Sequence, residues 1–356
     1  MKIWHKLKDN PEFLQKYYLR EKIIRTIRKY FYQEKFHEVE TPLLVPALIP
    51  ESYHDVFKTE FRSRSGQKTP LFLTTSPEAS LKKLLAGGIG NCFEITKSFR
   101  NGESGSDLHN PEFTILEWYR TEANYYDLMA DCERLFRFVY KAIDNKKRYL
   151  VYQTKKIDIY LPWLRLTVDQ ALQKYVDLRL TELIDDEDKP YLTTVKIRQA
   201  AEQKGYQTNN NNTWEEIFNQ IFLNEVEPYL GVDRPTIIYE YPSVLAALAK
   251  LKKNNPLVSE RFEIYIAGLE LADCYSELTD YSEQKKRFQD DLDLINHKKM
   301  KARPIDNEFL DALQYGLPRC SGVALGVDRL VMLFTDSVRI DEVLLFPFIE
   351  MMDNNS

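Results

Sequence analysis

Two stretches of strict alternation constrain this chain most. They are Phe93-Glu-Ile-Thr-Lys-Ser-Phe-Arg100 and, after a polar loop, His109-Asn-Pro-Glu-Phe-Thr-Ile-Leu-Glu-Trp-Tyr-Arg120. Strand side chains point alternately to two faces, so the pattern predicts two strands joined by a loop. On the first, Glu94, Thr96, Ser98 and Arg100 share a face; on the second, Phe113, Ile115, Glu117 and Tyr119 do. An arginine, an aromatic plate, a carboxylate and a phenol can then surround one cavity, suited to a nucleotide beside an amine-bearing substrate. An amphipathic hairpin with ordinary surface charges fits the alternation equally well.

With 356 residues, 44% of them hydrophobic, the chain can bury a large core as one big domain or two. A formal net charge of -5 argues against a dedicated nucleic-acid binder, whose footprint is basic. The basic runs Lys146-Lys147-Arg148 and 297–303 read as solvated loops or helix faces. Cys92, Cys132, Cys274 and Cys320 are far apart, which suits neither a structural zinc site nor a disulfide framework. The N-terminus has no signal-like apolar run, and no segment approaches the ~18 apolar residues of a membrane span. The expectation is a soluble cytoplasmic protein without membrane contact.

Residues from about 11 to 35 carry Leu14, Tyr17, Tyr18, Ile23, Ile24, Ile27, Tyr30 and Phe31 at helical spacing, an amphipathic helix. Phe36 to Leu44 reads as a turn into a strand, with Pro42 suited to an edge or an end. Ser76-Pro77 predicts an N-cap followed by a proline at the first helical position, and Gly87-Gly88 ends that helix. Another helix is expected over about 125–143. The less regular stretch from about 145 to 235, with Asp185-Asp-Glu-Asp188 and the run from Asn209 to Asn212, reads as an insertion of short helices. It would interrupt one domain spanning 1–350, ahead of a short tail at 351–356.

Order returns at Arg261-Phe-Glu-Ile-Tyr-Ile-Ala-Gly-Leu-Glu-Leu-Ala-Asp273, where Ala267-Gly268 predicts a tight hairpin with glycine at positive φ. If Ile266 faces Leu269, then Tyr265 faces Glu270 and Glu263 faces Ala272. Glu263 and Glu270 then lie diagonally on one face, where they could hold a divalent cation or simply be exposed. Glu277 has the opposite parity and joins them only if a bulge intervenes. Farther on, Gly322, Ala324 and Gly326 alternate with Val323, Leu325 and Val327, leaving one strand face nearly bare. Asp328 is placed to cap a helix starting near Arg329. The dinucleotide spacing G-x-G-x-x-G is absent.

Taken in order, these elements resemble the three motifs of class II aminoacyl-tRNA synthetases, most closely the catalytic domains of lysyl-tRNA synthetases. The helix and strand ending at Glu40-Thr-Pro42 match the first motif. Phe99-Arg100 to Glu117 match the second and Gly326-Val-Asp-Arg329 the third. The resemblance implies an α+β class II catalytic fold, a mainly antiparallel sheet flanked by helices. It also implies ATP and Mg2+ as cofactors and a homodimer built through the first motif. Arg100 would grip the substrate carboxylate and the α-phosphate, with Arg329 on the ATP tail. Phe113 would stack on adenine, with Glu103, His109, Asn110 and Gly326 around the nucleotide. Glu263 and Glu270 would hold magnesium, Glu270 also lying at the ATP. Ser76 and Glu78 would meet the backbone amine. Glu117, Tyr119, Asp273, Glu277 and Ala324 would form the amino-acid pocket, because a desolvated ammonium needs paired carboxylates.

Departures bear on the acceptor. Only about ten residues precede the first helix, and the chain stops soon after Leu344-Leu-Phe-Pro347, so no anticodon-binding barrel is expected. Ala324 stands where lysyl-tRNA synthetases usually have glycine and where the related elongation factor P ligases have alanine. The chain therefore resembles that stand-alone family, which joins (R)-β-lysine to the ε-amine of a lysine on elongation factor P. Lysine itself is the alternative substrate, and tRNA is not expected as a partner. A truncated lysyl-tRNA synthetase and a catalytically silent regulatory relative remain rivals. The loop 101–108 is one residue longer than is usual in the family. Gly102 replaces a common glutamate, and Asp273-Cys274 replaces a common Asn-Gly pair.

Overall fold

Asn10 starts the leading helix, Pro11–Gln33, by accepting the Phe13 amide at 3.1 Å, and Pro11 loses nothing at a position with no helical partner for an N–H. The computed structural model describes residues 3–51, 55–103, 106–144, 146–187, 189–297 and 304–353. Residues 298–303 of the second basic run, Asp188 and the loop residues 104–105 lie outside that range. The contacts divide the chain into two units, Met1–Lys147 with Thr279–Ser356, and Arg148–Leu278.

In the first unit the leading helix buries Phe13, Ile23, Ile27, Tyr30 and Phe31, a stripe at helical spacing. Phe31 stacks on Phe93 at 4.6 Å between ring centres, which seats the helix on the alternating hairpin. That hairpin is Cys92–Phe99 paired antiparallel with Glu112–Thr121. The short strand His37–Glu38 runs parallel to its outer edge, and Cys320–Gly326 pairs antiparallel with its inner strand. The helix Tyr125–Ile143 starts at a capping box of Asn124 and Asp127, within the predicted range, and packs Phe138 against Tyr30. A separate three-stranded antiparallel sheet is formed by Leu44–Val45, Lys68–Leu73 and Lys58–Arg62.

Two expected helix starts are corrected. The helix Glu78–Ala86 has Pro77 at its N-cap position with no side-chain hydrogen bond, so Ser76 does not cap it. The C-terminal end is as read: Gly87 follows the last turn, and Gly88 takes φ +87°, which glycine adopts without steric cost. The helix Val327–Thr335 begins two residues before Arg329, and Asp328 lies inside its first turn rather than capping it.

In the second unit Leu164–Thr167 runs parallel to Thr236–Tyr239, which pairs antiparallel with Arg261–Ile266, itself hairpinned to Leu269–Ser276. Ala267 (φ 60°) and Gly268 (φ 83°) form the tight turn. Gly231 is required beside it, because a Cβ there would meet the Tyr265 carbonyl oxygen at 2.5 Å. Three helices, Val168–Val176, Val195–Gln203 and Trp214–Glu225, bury Trp214, Phe218 and Phe222 with Tyr241 and Tyr265. The stretch read as short helices thus also holds strands, including the hairpin Tyr149–Tyr152 with Lys155–Asp158.

Antiparallel pairs dominate and helices flank them, which is the α+β architecture expected. The four cysteines are free and buried. Among the described residues no helix is long and apolar enough to cross a membrane.

Candidate active site

Register decides what shares a face in the first unit. Directly opposed residues of antiparallel strands point the same way. Ser98 faces Phe113, Glu94 faces Glu117, and Cys92 faces Tyr119. On the other side, Gly326 faces Ile115, Ala324 faces Glu117, and Gly322 faces Tyr119. The bare strand face therefore adjoins Phe113, Glu117 and Tyr119, and the Ala324 methyl group lies directly across from the Glu117 carboxylate.

Arg100 follows the first strand. Its guanidinium lies over the Phe113 ring at 5.1 Å and 3.8 Å from the Glu103 carboxylate. Its Nε is buried with no hydrogen-bond partner among the described residues, an orphan that a phosphate or carboxylate oxygen would satisfy. Arg329 donates from Nε to the Leu108 carbonyl at 3.4 Å and meets His109 Nε2 at 2.9 Å. His109 Nδ1 lies 2.9 Å from the Ser106 hydroxyl. Asn110 is used structurally, donating to the Glu112 carbonyl and accepting the Phe348 amide at 3.0 Å.

Glu117 is buried and accepts the Tyr119 hydroxyl at 3.3 Å. Opposite it, Glu94 accepts the Thr41 amide (2.9 Å) and hydroxyl (2.8 Å), tying the Glu40-Thr41-Pro42 segment to the hairpin. Burial pushes the Glu94 carboxyl above its ordinary range, against those two donors. Glu78 accepts Lys82 Nζ at 2.6 Å, and Lys82 is fully buried. Ser76 contributes its carbonyl to Thr74 Oγ1 at 2.5 Å.

The acidic hairpin of the second unit departs from the expected register. A bulge after the Tyr265–Glu270 pair leaves Leu271 unopposed, so Ile264 faces Ala272 and Glu263 faces Asp273, not Ala272. Arg261, Glu263, Tyr265, Glu270, Asp273 and Tyr275 then share a face. The bulge also brings Glu277 onto that parity, the condition on which its inclusion depended.

Arg261 joins the carboxylates: Nη2 donates to Glu263 Oε1 at 2.6 Å and Nε to Asp273 Oδ1 at 3.0 Å. Glu263 Oε2 accepts the Tyr241 and Tyr265 hydroxyls at 2.6 and 2.7 Å. Asp273 also accepts the Tyr275 hydroxyl at 2.7 Å and the Cys274 amide at 2.9 Å. Burial, with repulsion from Glu270 and Asp273, pushes the Glu263 carboxyl up to about 7 despite Arg261. Asp273 is raised by burial too, again opposed by Arg261. Arg261 thus bonds two carboxylates of this face, Glu263 and Asp273, and Glu270 repels both. Among the described residues no three His, Cys, Asp or Glu side chains gather into a metal cage. Magnesium does not need one, since it is commonly held by one or two carboxylates plus phosphate and water. The resemblance gives that role to Glu263 and Glu270, which share this face, although both oxygens of Glu263 already accept hydrogen bonds.

Residues 2–350 match the family described as tRNA synthetases class II (D, K and N). The chain belongs to that family. It is similar to an elongation factor P--(R)-beta-lysine ligase of Vibrio atlanticus, 36% identical over 92% of this chain and 94% of that protein. A ligase of the same name from Proteus mirabilis is 36% identical over 92% and 93%. A lysine--tRNA ligase of Carboxydothermus hydrogenoformans is 35% identical over 97% of this chain and 67% of that protein. In this class II chain, sequence reasoning missed Arg261, Tyr241 and Lys82 as partners of site carboxylates. Arg261 stands two residues before Glu263 and Lys82 four after Glu78, spacings that place each on its partner's face. Tyr241 lies on a distant segment, and no local pattern points to it.

Proposed function

We propose that this chain is an ATP-dependent, AMP-forming ligase that activates (R)-β-lysine, or lysine, and transfers it to the ε-amine of a lysine on elongation factor P. A carboxylate oxygen of the amino acid attacks the α-phosphorus of ATP. The bond to the β-phosphate oxygen breaks, giving an aminoacyl adenylate and pyrophosphate. The acceptor amine then attacks the acyl carbon, loses a proton and expels AMP as the amide forms.

No covalent intermediate with the protein is needed, so positioning and charge carry the rate. Arg100, with an unfilled Nε, is suited to the α-phosphate and the attacking carboxylate. Phe113 offers a ring face for adenine, while His109, Glu103, Gly326 and Arg329 border the nucleotide, and Asn110 holds the loop beside them. Glu263 and Glu270 are the residues that would hold Mg2+, which draws charge from the phosphates when bound. Ser76 and Glu78 take the backbone amine in this reading. Glu117, Tyr119 and Ala324 of the first unit take the lysine side chain in this reading. Glu277 is the residue of the second unit to which the resemblance gives the same role, with Asp273 tied to Arg261. The enzyme works in the cytoplasm as a homodimer formed through the leading helix and the segment ending at Pro42.

Ala324 stands across from Glu117, where the resemblance gives lysyl-tRNA synthetases a glycine and elongation factor P ligases an alanine, so it favours the ligase reading through the amino-acid pocket. The match to elongation factor P ligases over most of their length supports the same reading. The test supplies ATP, Mg2+ and either amino acid, with elongation factor P or tRNA as acceptor. Mass spectrometry is expected to show one added lysyl group on the factor. Charged tRNA beside an unmodified factor would overturn the acceptor, and no pyrophosphate exchange with either amino acid would overturn the ligase.

A further inference from the structure

The strand Cys320–Gly326 stops at Gly326, which faces Ile115, so the preceding residue of the neighbouring strand, Thr114, has no strand across from it there. Asp328 takes the place of that lost strand, its Oδ2 accepting the Thr114 amide at 2.7 Å. The other oxygen of Asp328 accepts Arg20 Nη1 at 2.5 Å, and Arg20 Nη2 donates to Thr114 Oγ1 at 2.8 Å. Three residues from three elements thus close one ring of hydrogen bonds. Arg20 is 8% exposed, Thr114 6% and Asp328 2%.

We propose that Arg20, in the leading helix, is a positioning residue for nucleotide use: through Asp328 and Thr114 it sets Arg329 at a fixed separation from Phe113 and Arg100. Thr114 is the chain neighbour of Phe113, whose ring lies under Arg100, and Asp328 is the chain neighbour of Arg329. The helix carrying Arg329 has no side-chain cap to hold its start, so the Asp328 carboxylate is the polar anchor of its first turn. A buried ion pair contributes little net stability compared with apolar packing, because desolvation offsets the attraction. What this one supplies is geometry, since guanidinium and carboxylate are both planar and each uses two atoms in the ring. The inference rests on the reading that Phe113, Arg100 and Arg329 bind ATP. It adds that the first-motif helix, nowhere near the nucleotide in sequence, governs that binding.

The experiment measures amino-acid-dependent pyrophosphate exchange and melting temperature for Arg20→Met, Arg20→Lys, Thr114→Val and Arg329→Ala. A displacement of about 1 Å at a positioned group costs up to about 100-fold, so Arg20→Met is expected to raise the KM for ATP at least tenfold. The KM for lysine is expected to rise by a clearly smaller factor, because of the three residues so positioned only Arg100 is assigned to the lysine carboxylate. Arg20→Lys keeps the charge but one arm only, and is expected to recover part of the loss. Thr114→Val preserves shape and the ion pair while removing one acceptor. It is expected to raise the KM for ATP by a smaller factor, and it decides the question if Arg20→Met does not fold. Equal rises in both KM values, or a lowered melting temperature with the KM for ATP unchanged, would overturn the strut as a nucleotide device. If Arg329→Ala itself leaves the KM for ATP unchanged, the nucleotide reading fails. If Arg329→Ala raises it and neither Arg20→Met nor Thr114→Val does, this inference fails alone.

Discussion

The two charged regions are built on opposite plans. Around Arg100, Phe113 and Arg329, one partly exposed arginine follows a strand and the other sits in the first turn of a helix. The Arg100 Nε has no hydrogen-bond partner among the described residues. Around Arg261, Glu263 and Asp273, both oxygens of each carboxylate already accept a hydrogen bond from the same unit. The first region holds open positive charge and gains most from an anion supplied from outside. The second has already solvated these two carboxylates internally, while Glu270 repels both. The proposed phosphate site is thus the one with an unfilled donor, and the proposed cation site the one where carboxylates repel one another.

Removing the open charge is the largest test of that contrast. Arg100→Ala is expected to reduce pyrophosphate exchange by about 10³-fold or more, as for other preorganised donors of transition-state charge, with an unchanged circular dichroism spectrum. Near-normal exchange would show that the orphan Nε is not a phosphate contact. The closed region makes a smaller claim, on stability. The Glu263 carboxyl ordinarily titrates at 4.5 and is pushed up to about 7 in the fold. Between those values the folded protein holds a proton that the unfolded chain has released, so stability falls as pH rises through the window. In Mg2+-free buffer, Glu263→Gln is expected to flatten the fall in urea-unfolding free energy between pH 4.5 and 7. Some slope should persist, since Asp273 and Glu94 are also raised by burial. Identical slopes in the variant and the parent would mean that Glu263 is already ionised there.

How far these regions were legible beforehand depends on the range of the interactions. Period-2 alternation placed Glu117, Tyr119 and Phe113 on one face, and period-3.6 spacing found the leading helix to within two residues, because both patterns are local. The acidic hairpin misled at one place: nothing in Leu269-Glu-Leu-Ala marks Leu271 as the bulged residue, so the pairing of Glu263 slipped from Ala272 to Asp273. Ser76 and Asp328 are good capping residues by type, yet neither caps. Pro77 occupies the N-cap position that Ser76 would need, and the Asp328 carboxylate accepts from Arg20 and the Thr114 amide instead. Arg20 is separated from Asp328 by 308 positions, which no window of sequence spans.

The finest test concerns a methyl group. Ala324 projects from the bare strand face, and its opposite neighbour Glu117 is the carboxylate proposed to meet the substrate side chain. Moving the amine from the α- to the β-carbon shifts a charged group along a backbone only one atom longer, so a single methyl group can favour one isomer sterically. Contacts of that size discriminate by about 1–3 kcal/mol. Ala324→Gly is expected to shift the ratio of kcat/KM for (R)-β-lysine over α-lysine toward α-lysine by roughly tenfold, the lower end of that range. Glycine also weakens a strand by about 0.5–1 kcal/mol, which lowers the yield of folded enzyme. That loss affects both substrates equally and cancels in the ratio. A ratio unchanged within about twofold would show that the methyl group does not select the isomer, and discrimination would then have to come from the carboxylates alone.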